Sequence, residues 1–250
     1  MTGNVLKARL ANDEKQLGCI VMLPSPDVAE IIAHAGVDVV MIDHEHGPGS
    51  LQDYIAQDRA MRGSRTQTMV RIPHGDLVYA QRILEAGCRS IVFPGIDTAE
   101  EAKAAVRACR YPPHGVRGAG GGIRAAKYGI DTDYYGQQSD GDLLIVAQIE
   151  SVRAVENLDA ICAVPGVDML LIGPRDLSAS MGLLDSFSDP AVWRQVAQAA
   201  KRIQGSRKFL ASTLHPSISS RGMFEAGYDL VLAKKDVDFV LEGAKAMASL

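Results

Sequence analysis

The sequence predicts an α/β fold of the (β/α)8 (TIM) barrel class, built as one domain over residues 1–250. Three observations carry that prediction. Short apolar runs alternate with helix-like stretches, the pattern of a parallel sheet whose strands are joined by helices. The runs number eight, enough to close a barrel. The Gly-rich dinucleotide fingerprint that a doubly wound open sheet carries after its first strand is missing.

The expected strands are residues 19–23, 37–42, 68–72, 90–93, 143–149, 168–172, 208–212 and 229–233. Each is too short for an amphipathic helix and apolar enough to be buried on both faces. Helices are expected over 27–35, 77–86, 98–109, 152–163, 191–204, 217–226 and 237–248. The first two end at Gly36 and Gly87, and the sixth at Gly227, where glycine accepts the left-handed conformation of a helix end. The third opens with Thr98 and Glu101 at the spacing of a capping box. Residues 111–142 break the rhythm, being rich in Gly and Pro and long for a connector. This loop is expected over the C-terminal rim, where Gly118-Ala119-Gly120-Gly121-Gly122 could cradle an anion with backbone N–H groups.

Composition narrows the function. A net charge of −4 with dispersed Lys and Arg excludes an electrostatic nucleic-acid or membrane surface, and 5% aromatics offer no base-stacking platform. No apolar run reaches membrane-spanning length, and the charged N-terminal stretch lacks the apolar core of a signal peptide. Cys19, Cys88, Cys109 and Cys162 form no CxxC pair and read as buried thiols of a reduced, cytoplasmic compartment.

The chemistry is expected at strand ends. In GVDMLLIGPRDLSASMG, Gly173-Pro174 ends an apolar strand and Asp176 follows on the turn. Asp176 either caps the helix that begins near Leu177 or carries chemistry at a barrel mouth. Glu150, one strand earlier in LIVAQIES, favours the second reading. Asp43-His44-Glu45-His46 follow the second strand, and Arg71 ends the third. Two carboxylates with water make a hard-oxygen site suited to Mg2+ or Mn2+, open enough for a 2-oxo acid to chelate. Arg71 would add a fixed charge at the ketone oxygen, and His46 can pass a proton near neutral pH. Such a constellation suits making and breaking a carbon–carbon bond beside a 2-oxo acid.

These residues sit in VVMIDHEHGP, MVRIP, RYPPHGVRGAG, VAQIES and GVDMLLIGPRDLSASMG, phrases by which the chain resembles the HpcH/HpaI aldolase family. The resemblance implies a class II pyruvate aldolase using a divalent metal (Mg2+, Mn2+ or Co2+) on small 2-oxo acid and aldehyde substrates. It implies Glu150 and Asp176 as metal ligands, Arg71 at the ketone oxygen, and His46 as half of a proton-transfer dyad. Glu85, in ILEAG, is the implied acidic partner. Pyruvate would be held by Gly173, Pro174, Arg175 and Asp176, its carboxylate on the N–H groups of the last two, with Asp43 and Glu45 supporting the site. A homo-hexamer (trimer of dimers), its last helix packed on a neighbouring subunit, is also implied. Departures surround the aldehyde site: His44 where relatives commonly have Gly, a shortened Gly-rich loop, and Lys234-Lys235 after the last strand. Competing readings are a Schiff-base aldolase on Lys234 or Lys235, a malyl- or citryl-type CoA-ester lyase, and a non-catalytic metabolite-binding barrel. A CoA lyase wants a basic phosphate surface, which is not evident, and mere binding does not require a base.

Overall fold

The structure is a computed structural model that describes residues 3–135 and 141–250. Its strands are β1 (Gln16–Val21), β2 (Val39–Asp43), β3 (Gln67–Arg71), β4 (Ser90–Phe93), β5 (Leu144–Ile149), β6 (Met169–Ile172), β7 (Phe209–Thr213) and β8 (Leu230–Lys235). They pair in chain order, all parallel, and β8 pairs back onto β1 to close the barrel. The expected (β/α)8 fold is therefore the fold observed.

Strand alternation divides the core in two. Val39, Met41, Met69, Val92, Leu144, Val146, Met169, Leu171, Leu230 and Leu232 fill the barrel, while Val40, Ile42, Val70, Ile91, Ile145, Leu170 and Val231 face the helices. The period of two sends neighbouring side chains to opposite faces. Burial on both faces explains why these strands read as unbroken apolar runs.

Two helices escape the sequence expectation. Helix α1 (Val5–Ala11), capped by Asn4, sends Leu6 and Leu10 into the barrel core. Helix α2 (Pro26–His34) is followed after β2 by α3 (Leu51–Ala60), a polar stretch that buries Tyr54 and Gln57. Its signal was the Ser50–Asp53 capping box, not an apolar stripe. Helices α4 (Leu77–Glu85) and α5 (Ala99–Cys109) match expectation, and the Thr98–Glu101 capping box forms. The helix expected over 152–163 is two short ones, α6 (Val152–Glu156) and α7 (Leu158–Cys162), separated at Asn157. Helices α8 (Pro174–Ser180), α9 (Pro190–Gln204), α10 (Ser220–Glu225) and α11 (Asp236–Ala248) follow. Gly36, Gly87 and Gly227 adopt positive φ at helix ends as expected.

The Gly-rich loop lies at the opposite end from the one expected. It leaves the C-terminal end of α5 and returns at Asp142, which pairs with Arg89 just before β4. Between these points Gly118 donates its N–H to Gln81 at 3.4 Å, and Arg124 binds the Ala86 carbonyl and Asp58 near the ends of α4 and α3. A helix after a parallel strand carries the chain back to the N-terminal face, so a segment joining α5 to β5 belongs there. The stretch 136–140 of this loop lies outside the described residues.

Candidate active site

Alternation decides which polar residues enter the barrel. Continuing from Val39 and Met41, Asp43 faces inward; from Met69, Arg71 does; from Leu144 and Val146, so do Gln148 and Glu150. All stand at the C-terminal ends of their strands and ring one mouth.

Asp43 and Arg71 are buried there, at 2% and 7% exposure. They form a two-pronged pair, Arg71 Nε donating to Oδ1 at 3.0 Å and Nη2 to Oδ2 at 2.6 Å. Asp43 Oδ1 also accepts the N–H groups of Glu45 and His46, at 3.1 and 3.2 Å. Burial works against the Asp43 carboxylate, but the guanidinium and these N–H donors outweigh it and hold the carboxyl below its usual range. Burial likewise opposes the Arg71 charge, and Asp43 and Glu45 more than restore it. Arg71 Nη1 lies 3.2 Å from Glu45 Oε2 without hydrogen-bond alignment. Gly47 permits the turn after these residues, since a Cβ there would fall 2.3 Å from the Asp43 carbonyl and 2.8 Å from that of Met22.

Glu150 is clamped. Its Oε1 accepts the Gly95 N–H at 2.6 Å, and its Oε2 accepts from the Gln148 amide. Gly173 makes room beside it, because a Cβ there would sit 3.0 Å from both Cβ and Oε2 of Glu150. Burial pushes the Glu150 carboxyl up to about 7, with Asp176 and Glu45 adding like-charge repulsion against the hydrogen bonds that oppose the rise. Asp176 lies in the first turn of α8, half-buried, with Pro174 at the helix start and Gly173 as its cap. The first-turn N–H groups of Arg175 and Asp176 have no carbonyl within the helix to bond. The Arg175 side chain is exposed and lies over the Phe187 ring at 5.4 Å.

These acids suit a divalent cation. Glu150 and Asp176 are hard oxygen donors, and a bound cation would relieve the repulsion that raises Glu150. The Gln148 Oε1 atom is buried without a hydrogen-bond partner, a further acceptor aimed into the same region. Among the described residues no cluster of three or more His, Cys, Asp or Glu has metal-holding geometry. Remaining coordination positions would fall to water and substrate.

The histidines separate. His46 projects from the rim, its side chain 53% exposed, with Nε2 3.9 Å from Glu45 Oε2. His44 points to the outer face, 6% exposed, where Nδ1 meets the Tyr79 hydroxyl at 3.0 Å and Nε2 is left without a partner. Glu85 does not join His46 in this chain. It is the last residue of α4, at the end remote from the mouth, and accepts from Gln81 Nε2 at 3.1 Å. The helix that carries it runs away from the strand ends, so no side-chain freedom brings the two together. Lys234 pairs with Glu242 at 2.5 Å on the outer rim, and Lys235 is exposed.

Sequence reasoning missed Gln148 and Gly95. The first was legible, two residues before Glu150 and so on the same face of β5. The second was not, because its N–H reaches Glu150 from another strand's connection.

Residues 16–220 match the family described as HpcH/HpaI aldolase/citrate lyase. The chain is 34% identical over 247 residues to the hydroxypyruvate/pyruvate aldolase of Roseobacter denitrificans, covering 98% of this chain and 96% of that one. It is 41% identical over 206 residues to the 4-hydroxy-2-oxovalerate aldolase of Novosphingobium aromaticivorans, covering 82% and 78%. The crystal structure of an aldolase/citrate lyase family protein from Burkholderia cenocepacia J2315 superposes with a TM-score of 0.93 at 34% identity, covering 98% of each chain. The strand ends and mouth residues described above thus lie in a chain that belongs to the HpcH/HpaI aldolase/citrate lyase family.

Proposed function

We propose that this chain is a class II aldolase, a carbon–carbon lyase that reversibly cleaves a 4-hydroxy-2-oxo acid to an aldehyde and pyruvate or a related 2-oxo acid such as hydroxypyruvate. The observation that carries the reading is the convergence at one mouth of an Arg71 guanidinium locked by Asp43 with the clamped, charge-strained Glu150 beside Asp176. The names of the relatives, aldolases acting on pyruvate-type donors, support the same class.

Glu150 and Asp176 would hold Mg2+, Mn2+ or Co2+. When bound, the cation supplies Lewis-acid polarisation of the 2-oxo group. The free N–H groups of Arg175 and Asp176 receive the 2-oxo acid carboxylate beside Gly173 and Pro174. In cleavage, His46 takes the proton from the 4-hydroxyl oxygen as the C3–C4 bond breaks, leaving the aldehyde. The bonding pair moves toward the 2-oxo oxygen, where Arg71 faces the developing charge; a proton then added at C3 completes the pyruvate. Asp43 keeps the guanidinium from swinging, and Glu45 stands beside both Arg71 and His46.

A homo-hexamer of trimer-of-dimers type fits two features of the single chain. Glu85 could serve a His46 only from another copy. Helix α11 leaves Phe239, Val240, Leu241 and Met247 exposed, an apolar face suited to packing on a neighbour. Among the described residues no helix is long and apolar enough to cross a membrane. The four cysteines are buried thiols not joined in disulfides, the state that a reduced, cytoplasmic compartment maintains. The Schiff-base alternative loses ground, since a catalytic lysine wants a desolvated pocket and Lys234 is an ion-paired rim residue.

The test incubates pyruvate or hydroxypyruvate with an aldehyde panel, with and without divalent metal. Metal-dependent formation of 4-hydroxy-2-oxo acids is expected. Equal activity in metal-stripped protein would remove the class II assignment.

A further inference from the structure

We infer that His74 is a positioning residue for Glu150, acting through Gly95. This rests on the reading of Glu150 as a cation ligand, and the test below separates the two.

Glu150 is held from three directions: by the Gln148 amide, by the room Gly173 leaves, and by the Gly95 N–H. Gln148 is on β5, and Gly173 donates its own N–H to the Ile149 carbonyl at 2.9 Å, so both are anchored in the barrel. Gly95 is held to the barrel through its neighbour Ile96, whose N–H reaches the Gln148 carbonyl at 3.4 Å, a longer bond than that of Gly173. Gly95 sits on the connection between β4 and α5 with a φ of +63°, a left-handed conformation that glycine adopts without strain. Beside this connection is a cavity of ≈ 260 Å³, lined in part by Leu77, Phe93, Ile96 and Ala104. A backbone segment with open space beside it can retreat, and retreat of Gly95 would lengthen its bond to Glu150.

His74 opposes that retreat. It lines the same cavity, and a Cβ built on Gly95 would fall 1.9 Å from its Cε1 and 2.1 Å from its Nδ1. The imidazole therefore occupies the volume that any side chain at position 95 would take, and it rests against the Gly95 backbone. Among the described residues the ring makes no hydrogen bond or ion pair, so its hold on Gly95 is steric. The sequence placed no role on His74; only folding brings the connection after β3 against the connection after β4.

Mn2+ titrated into metal-free protein reads the effect without relying on turnover. His74→Ala is expected to weaken Mn2+ binding by roughly tenfold, the lower end of what partners of a metal ligand contribute. His74→Phe keeps a ring against Gly95 and should restore most of the loss. Gly95→Ala should weaken binding strongly in the wild-type background and less in His74→Ala, where no ring remains to clash. Thermal unfolding of each variant checks that it folds; if His74→Ala is unstable, His74→Val, which also lacks a ring to reach Gly95, takes its place in both comparisons. Unchanged Mn2+ affinity in folded His74→Ala overturns the inference. So does a loss that His74→Phe fails to repair, because the imidazole nitrogens rather than its bulk would then matter. If Glu150→Gln binds Mn2+ as tightly as wild type, the ligand reading itself fails, whatever His74 does.

Discussion

Asp43 and Arg71 face each other across β2 and β3 as register partners, joined by two parallel hydrogen bonds of 3.0 and 2.6 Å. The pair fixes the guanidinium plane before any substrate arrives. Planarity is what a lysine lacks: its ammonium is a rotating point charge that cannot span both carboxylate oxygens. Arg71→Lys is therefore expected to lower kcat/KM for aldol cleavage by roughly a hundredfold or more, on the scale of losing one oxyanion donor. Steady-state kinetics check this, and activity within a small factor of wild type would make Arg71 a structural residue.

Asp43→Asn removes the aligned counter-charge and leaves Arg71 only Glu45 at 3.2 Å, so the loss should stay below the about 3–5 kcal/mol of a buried charge stripped of its partner. The pH dependence has a definite sign. Asp43 is held below its unfolded value, so its contribution is full above about pH 4. That contribution is lost as pH falls through the folded-state value. Denaturant unfolding between pH 7 and pH 3 should show a flatter acid limb for the variant; parallel curves would show that Asp43 does not govern acid stability.

Glu150→Gln and Asp176→Asn should each weaken divalent-cation binding and slow turnover together, since each removes one hard oxygen charge. EDTA should abolish activity, with Mg2+, Mn2+ or Co2+ restoring it. Isothermal titration beside activity assays distinguishes a ligand from a residue that merely shapes the pocket, for which the two losses would not track.

Gly173→Ala tests the clamp from the opposite wall. Its Cβ would press within 3.0 Å of Glu150 Cβ and Oε2, tighter than ordinary contact, and the carboxylate must shift. We expect cation affinity to fall while the fold persists. Unaltered affinity would show that Glu150 tolerates displacement.

His46 and His44 should behave oppositely. His46 is exposed at the rim, so His46→Ala should leave stability unchanged and reduce aldol cleavage by roughly a hundredfold, the usual reach of general acid–base catalysis. His44 is buried against Tyr79, so His44→Ala should destabilise by about 2 kcal/mol, the scale of emptying a buried site, with a smaller effect on rate. If His44→Ala is the inactive one and His46→Ala turns over normally, the base is on the wrong histidine.

The sequence by itself determined the barrel and its mouth. Strands buried on both faces leave unbroken apolar runs, and glycines mark the helix ends that feed them. Period-two alternation then carries Asp43, Arg71 and Glu150 inward from their strands without any knowledge of tertiary contacts. Helix α3 escaped because its buried residues include Gln57, which satisfies its amide on the Leu23 carbonyl at 3.0 Å and so leaves no apolar stripe to read. The Gly-rich loop was misplaced because a segment that follows a returning helix lies at the N-terminal end of the barrel, whatever its composition. Glu85, implied by the resemblance as the partner of His46, ends such a helix, and within one chain it stands at that same far end. What only the tertiary structure decided is the set of contacts between connections. The N–H of Gly95 on Glu150 and the ring of His74 on Gly95 join segments from β3, β4 and β5, and they depend on the fit of backbones that no local pattern encodes.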